Sequence, residues 1–281
     1  MSDVSADAVL VQPDDLAARL VAGDDIVLLD VRWSLGGPPG RTTYLEGHLP
    51  GAVYVDLDTE LAAHGAPTDG RHPLPDVGAL QSAARRWGVR RGSTVVAYDG
   101  GGNLAAARAW WLLRWAGLDD VLLLDGALPA WRAAGGALST EDVVPEVGDV
   151  VLSGGALPTL ALDDVAAFAA DGVLLDARAA ERFRGEVEPV DPKAGHVPGA
   201  VSAPTGDNLA PDGRFLPASA LRERFAGLGA TGDAAVAVYC GSGVTAAHQV
   251  AALAVAGVDA SLFPGSWSQW SNHDLPVATG A

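Results

Sequence analysis

Gly47-His48-Leu49-Pro50-Gly51-Ala52-Val53 returns, with one conservative change, as Gly195-His196-Val197-Pro198-Gly199-Ala200-Val201. Working outward, Leu28-Leu29-Asp30-Val31-Arg32 pairs with Leu174-Leu175-Asp176-Ala177-Arg178, and Tyr98-Asp99-Gly100 with Tyr239-Cys240-Gly241. Asp125-Gly126-Ala127 with Trp131 pairs with Pro264-Gly265-Ser266 with Trp270. The offsets, 148, 146, 141 and 139 residues, are nearly constant and in the same order. A period this long exceeds any solenoid unit and means two copies of one domain. A chain of 281 residues has room for both. The reading gives one domain over 8–142, a linker over 143–158 and a second domain over 159–281. Around the linker, Pro and Gly alternate with short Val pairs, which reads as extended chain.

Within each copy, short apolar runs alternate with helical patterns. Residues 26–30, 95–98, 121–124, 173–176 and 235–239 read as buried strands. Residues 14–22, 76–87, 105–116, 163–170, 218–226 and 245–256 read as helices, with acidic starts at Asp14 and Asp163. This alternation predicts an α/β fold in which each domain is a mostly parallel sheet flanked by helices. Such sheets hold ligands at the carboxyl ends of their strands.

Composition narrows the function. The net charge of −17, with a single lysine, gives no basic surface for nucleic acid. No apolar run reaches the ~18 residues of a membrane span. The opening stretch, 1–14, carries three aspartates and no basic residue, unlike a targeting peptide, so a cytoplasmic location is expected. Six histidines without metal-ligand spacing and one cysteine argue against zinc, and that cysteine cannot form an intrachain disulfide. Gly100-Gly101-Gly102-Asn103 lacks the Lys-Ser/Thr of a phosphate loop.

The single cysteine stands where chemistry is expected. Cys240 ends an apolar strand and opens Gly241-Ser242-Gly243-Val244-Thr245, after which a helix begins. Two glycines permit a tight loop with inward-facing N–H groups, and the helix start adds its positive end. Both favour a thiolate, the nucleophilic form of the thiol. The first copy has Asp99 at this position, which cannot take up sulfur, so one site per chain is expected.

These motifs together resemble the rhodanese sulfurtransferases with two tandem domains. Tyr44-Leu45-Glu46-Gly47-His48-Leu49-Pro50-Gly51-Ala52 is similar to the family's first signature, and Lys193-Ala194-Gly195-His196-Val197-Pro198-Gly199-Ala200 is its second copy. Phe263-Pro264-Gly265-Ser266-Trp267-Ser268-Gln269-Trp270 resembles the C-terminal signature. The resemblance spans roughly residues 10–270. It implies a double displacement in which Cys240 takes sulfur from a small donor as a persulfide. The sulfur then passes to cyanide or to a thiol such as that of thioredoxin, with no cofactor.

The loop Cys240-Gly241-Ser242-Gly243-Val244-Thr245 looks like that of the 3-mercaptopyruvate enzymes. Thiosulfate enzymes typically carry an Arg-Lys pair after the cysteine, which suits a dianion. Thiosulfate:cyanide transfer and a protein sulfur relay remain the alternatives. The resemblance implies that Arg182 grips the donor carboxylate and that Gly241, Gly243, Val244 and Thr245 cradle the donor. Trp33 falls where the family has a tryptophan near the cleft. A second arginine is expected in Glu-Pro-Arg, but here Val190 follows Pro189, and Lys193 is the candidate replacement. Ser242 and His48 resemble the serine and histidine of a relay. Its acid has no match, because the glycine-rich 36–40 replaces the usual charged stretch, leaving Glu46 and Asp30 as the nearest carboxylates. A cysteine phosphatase of the same fold needs an arginine closing the loop, where Ala246 stands.

Overall fold

A computed structural model describes residues 8–281. The first half of the acidic opening stretch lies outside the described residues. Strands β1 (Leu10–Val11), β2 (Ile26–Asp30), β3 (Val53–Tyr54), β4 (Thr94–Tyr98) and β5 (Val121–Leu124) form one sheet in the order β1-β5-β4-β2-β3. Strands β6 (Val173–Asp176), β7 (Val201–Ser202), β8 (Val236–Tyr239) and β9 (Ser261–Leu262) form a second, ordered β7-β6-β8-β9. Every pairing in both sheets is parallel. The β2–β4 register sets Asp30 beside Tyr98, and β6–β8 repeats it with Asp176 beside Tyr239. The central strands β4, β5 and β8 are buried along their whole length because helices cover both faces.

The long elements match the apolar periodicity to within a residue or two, and their ends have local causes. The helix Pro13–Ala22 starts on Pro13 with Asp14 and Asp15 in its first turn, so Asp14 favours the helix dipole and does not cap it. Asp76 does cap Val77–Arg86, accepting the N–H groups of Gly78 and Ala79. The helix expected at 163–170 divides into a 3₁₀ turn, Leu162–Asp164, and the helix Val165–Asp171. Strands β1, β3, β7 and β9 are two residues each, too short to show a period.

The stretch 143–158 is extended, as its composition suggests, but it does not hang free. Gly148 and Val150 donate to the carbonyls of Arg85 and Val89, and Ser153 and Ala156 to those of Ala116 and Trp115. Val150 and Leu152 are buried. The alanine-rich helices Ala106–Trp115 and Val244–Val255, one from each half, pack together. Small side chains let their backbones approach, and buried residues of both halves join one apolar cluster. Trp110 and Trp111 are spent on this packing. The consequence is positional. The β8 strand end that carries Cys240 faces residues of the first half.

Candidate active site

Cys240 follows β8 directly, and its side chain forms part of the floor of a cavity of about 380 Å³. Only 1% of the residue is exposed, yet it is not sealed in apolar surroundings, because Arg71, Arg178, Arg182, Ser242 and Thr245 share the cavity wall. Gly243 donates its N–H to the sulfur at 3.2 Å. It can do so because its φ of 81° is left-handed, and a Cβ there would lie 2.3 Å from the Pro264 carbonyl oxygen. The helix Val244–Val255 starts immediately afterwards, one residue earlier than expected, with its N-terminal end toward the loop. Behind the loop, Cys240 donates its N–H to Ser266 Oγ at 3.1 Å, and Trp267 donates to the Cys240 carbonyl.

The first copy shows what this loop holds when no sulfur is involved. Asp99 replaces the cysteine, and its carboxylate accepts N–H groups from Gly101, Asn103, Ala105 and Ala106 at 2.8–3.3 Å. Burial pushes Asp99 up to about 6, against the pull of those four amides. The loop of this fold is an anion cradle, and here the chain fills it with its own carboxylate.

Two guanidiniums converge over Gly241. A Cβ at that position would lie 3.1 Å from Arg71 Nη2 and 3.4 Å from Arg182 Nη1. Arg182 was expected from the sequence. It forks onto Glu188 at 2.7 and 2.9 Å and reaches Asp191 at 3.3 Å. Arg71 was not expected. It comes from the first half of the chain and pairs with Asp191 of the second. Arg178 also lines the cavity, locked by Asp176 at 2.6 Å. Arg71 thus lines the cavity beside Arg182, where Lys193 does not. The Lys193 ammonium instead donates to the carbonyls of His273 and Leu275, capping the C-terminal segment, and does not line the cavity.

The histidine beside Ser242 is His72. Its Nδ1 lies 2.7 Å from Ser242 Oγ, and its Nε2 lies 3.1 Å from Asp58 Oδ1. A carboxylate can only accept, so Nε2 carries the proton and Nδ1 accepts from the serine hydroxyl. Burial, aided by the charge of Arg108, lowers the His72 pKa and favours this neutral form. Trp33 lines the cavity and closes the group, donating to Asp58 Oδ1 at 3.0 Å and standing edge-on to the His72 ring.

His48 is elsewhere, which corrects the expectation drawn from its motif. It is fully buried, with Nδ1 2.9 Å from the Tyr44 carbonyl oxygen and its ring stacked on Tyr44 at 3.9 Å. His196 repeats this, with Nδ1 2.7 Å from the Phe183 carbonyl and its ring stacked on Phe183 at 3.7 Å. A contact present in both halves, only one of which carries a cysteine, is a turn anchor. Asp30 is buried against Arg32 and Glu46 lies outside the cavity, so neither supplies the missing acid. Val244 and Thr245 line the cavity with Gly241, whereas Gly243 contributes its N–H from behind. His72 left one trace in the sequence: Asp69-Gly70-Arg71-His72 returns as Asp212-Gly213-Arg214-Phe215, so only the first copy has a histidine after the arginine.

Two parallel α/β halves with a cysteine in an amide-lined loop define a class, and comparison with known proteins agrees. Residues 12–134 and 161–273 each match the rhodanese-like domain. A Mycobacterium tuberculosis protein assigned as a thiosulfate sulfurtransferase, SseB, is 50% identical over 276 residues, covering 97% of both chains. A Pseudomonas aeruginosa protein assigned as a 3-mercaptopyruvate sulfurtransferase is 48% identical, covering 97% of this chain and 99% of the other. The crystal structure of SseA, a 3-mercaptopyruvate enzyme of Escherichia coli, superposes with a TM-score of 0.82 at 32% identity, over 92% of this chain and 98% of that one. The chain belongs to the rhodanese-like family. Within it, it is a sulfurtransferase. Among the described residues no helix is long and apolar enough to cross a membrane, and no cluster of side chains could hold a metal.

Proposed function

We propose that Cys240 carries sulfur from 3-mercaptopyruvate to cyanide or a small thiol, thioredoxin being a thiol of the right kind. The observation that carries this reading is the convergence of Arg71, Arg182, Ser242 and Cys240 on one cavity. The Cys240 thiolate attacks the donor's sulfur. An S–S bond forms, the C–S bond breaks, and the carbon leaves as the enolate of pyruvate. The donor's thiol proton must reach that carbon, and the Ser242 hydroxyl backed by neutral His72 is positioned to relay it. The guanidiniums of Arg71 and Arg182 suit the carboxylate and keto oxygens. The acceptor thiolate or cyanide then attacks the terminal persulfide sulfur, releasing a persulfide or thiocyanate and restoring the Cys240 thiolate.

The cavity's charge balance supports this donor over thiosulfate. Arg71, Arg178 and Arg182 each already face a carboxylate, so a dianion meets little net positive charge, whereas a monoanion needs only one guanidinium to turn. Thiosulfate is the second reading, favoured by the assignment of the M. tuberculosis relative. A free reactive thiol is what a reducing cytoplasm preserves, and that compartment is part of the proposal. The test is kcat/KM for both donors side by side, with Cys240→Ser as control. Higher kcat/KM with mercaptopyruvate is expected, and no transfer from either donor in the variant. Full activity in Cys240→Ser would overturn the reading.

A further inference from the structure

Arg108 lies in the helix Ala106–Trp115 of the half that has no cysteine, and it is fully buried. Every hydrogen bond it makes goes to a backbone carbonyl. Nε donates to Leu61 at 3.2 Å, Nη2 to His72 at 2.9 Å and Pro73 at 3.4 Å, and Nη1 to Gly243 at 3.2 Å. Among the described residues no carboxylate lies within ion-pair distance of it. The cations on the open side of Cys240 differ in this respect. Arg71 is held by Asp191, Arg178 by Asp176, and Arg182 by Glu188 and Asp191. His72, the remaining titratable neighbour, is favoured neutral.

A buried, unpaired guanidinium is costly, and a chain keeps one where a negative charge is to appear. The carbonyls Arg108 holds are informative. Gly243 is the residue whose N–H meets the Cys240 sulfur, and His72 is the residue bonded to Ser242. One side chain therefore holds the backbone of both Gly243, which meets the sulfur, and His72, which meets Ser242. Burial pulls Arg108 down to about 10, opposed only by Cys240, which leaves it charged at neutral pH.

We propose that Arg108 is a positioning residue supplied by the cysteine-free half, a fixed positive charge behind the loop that favours the anionic sulfur of Cys240 and orients Gly243 against it and His72 against Ser242. The half with Asp99 in its own cradle thereby contributes to the chemistry of the other half, beyond walling the cavity. This role presupposes Cys240 as the reacting group. Alkylation of the thiol reads the thiolate directly, whichever donor is used, so it can fail while the donor assignment stands.

The test compares Arg108→Lys, which keeps the charge and loses the fork, with Arg108→Gln, which keeps a donor and loses the charge. The rate of iodoacetamide alkylation of Cys240 is followed from pH 5 to 10, with circular dichroism and gel filtration to confirm folding. In Arg108→Gln the midpoint should rise by about one pH unit and the rate at pH 6 fall about tenfold. In Arg108→Lys the profile should stay within about twofold of the unaltered protein even if Tm drops. A folded Arg108→Gln with an unchanged profile, or equal shifts in both variants, overturns the proposal. Should Arg108→Gln not fold, Arg108→Lys decides alone. A retained midpoint supports the charge role, and a rise of about one unit overturns it.

Discussion

His72 Nδ1, in the first half of the chain, lies 2.7 Å from Ser242 Oγ in the second, 170 residues away. The two members of the proposed relay thus belong to different domains. Removing the relay should hurt one donor far more than the other. Mercaptopyruvate leaves a carbanion that must be protonated, whereas thiosulfate leaves sulfite, which needs no proton. Ser242→Ala and His72→Asn should each lower kcat with mercaptopyruvate on the order of 10²-fold and change thiosulfate turnover by less than about fivefold. The double variant should be little worse than either single one, because the two act as a unit. Steady-state kinetics with both donors checks this, and equal losses with both would remove the relay role.

The convergence of Arg71 and Arg182 over Gly241 makes a binding prediction. Arg71→Ala and Arg182→Ala should each raise KM for mercaptopyruvate about tenfold or more, with smaller changes in kcat. Lys193→Ala should leave kcat/KM within about twofold, since its ammonium caps the carbonyls of His273 and Leu275. A larger loss in Lys193→Ala than in Arg71→Ala would reverse the assignment of the second cation.

Asp99 should matter for stability and not for turnover. Asp99→Ala leaves four N–H groups, three of them buried, without an acceptor, and one such buried group costs about 1–3 kcal/mol. The relief of burying a carboxylate offsets part of this, so a net loss of about 2–3 kcal/mol is expected in urea unfolding. Sulfur transfer by the remaining folded protein should be unchanged.

The pH dependence of stability should carry two opposed contributions. His248 is fully buried, with Nδ1 2.7 Å from Thr205 Oγ1 and its ring on Phe215, and burial drives its pKa down to about 3. Between the unfolded value of 6.5 and about 3 the unfolded chain binds the extra proton, so stability falls as pH falls, by about 1.4 kcal/mol per unit. Asp99 works the other way. Its folded value of about 6 lies above the unfolded 3.8, so over that window the folded chain binds the extra proton and gains stability as pH falls. His248→Asn should therefore flatten the acid-side loss and Asp99→Asn should steepen it, as read by urea midpoints at pH 7, 6, 5 and 4.

Much of this protein is written locally. The repeated Gly-His-x-Pro-Gly-Ala turns and the apolar runs at β2, β4, β5, β6 and β8 announced two parallel α/β halves, because burial on both faces leaves a run that short-range reading can find. Cys240 and its loop were legible for the same reason. The cradle is built from residues 240–244, so strand end, glycine and helix start suffice to specify it. Arg182 was legible through its motif, which also lies within its own domain.

What needed the tertiary structure was everything contributed across the interface. His72, Arg71 and Arg108 meet the cysteine loop only because the helices Ala106–Trp115 and Val244–Val255 pack together, and no periodicity within either half encodes that docking. His48 misled because its motif fixes a turn in both halves, while the histidine beside Ser242 stands in Asp69-Gly70-Arg71-His72, whose counterpart Asp212-Gly213-Arg214-Phe215 carries a phenylalanine in its place. The sequence alone determined the two domains and the cysteine loop, which depend on contacts between near neighbours. The packing of one domain against the other brought His72 to Ser242 and Arg71 to Asp191, because those contacts join residues more than a hundred positions apart.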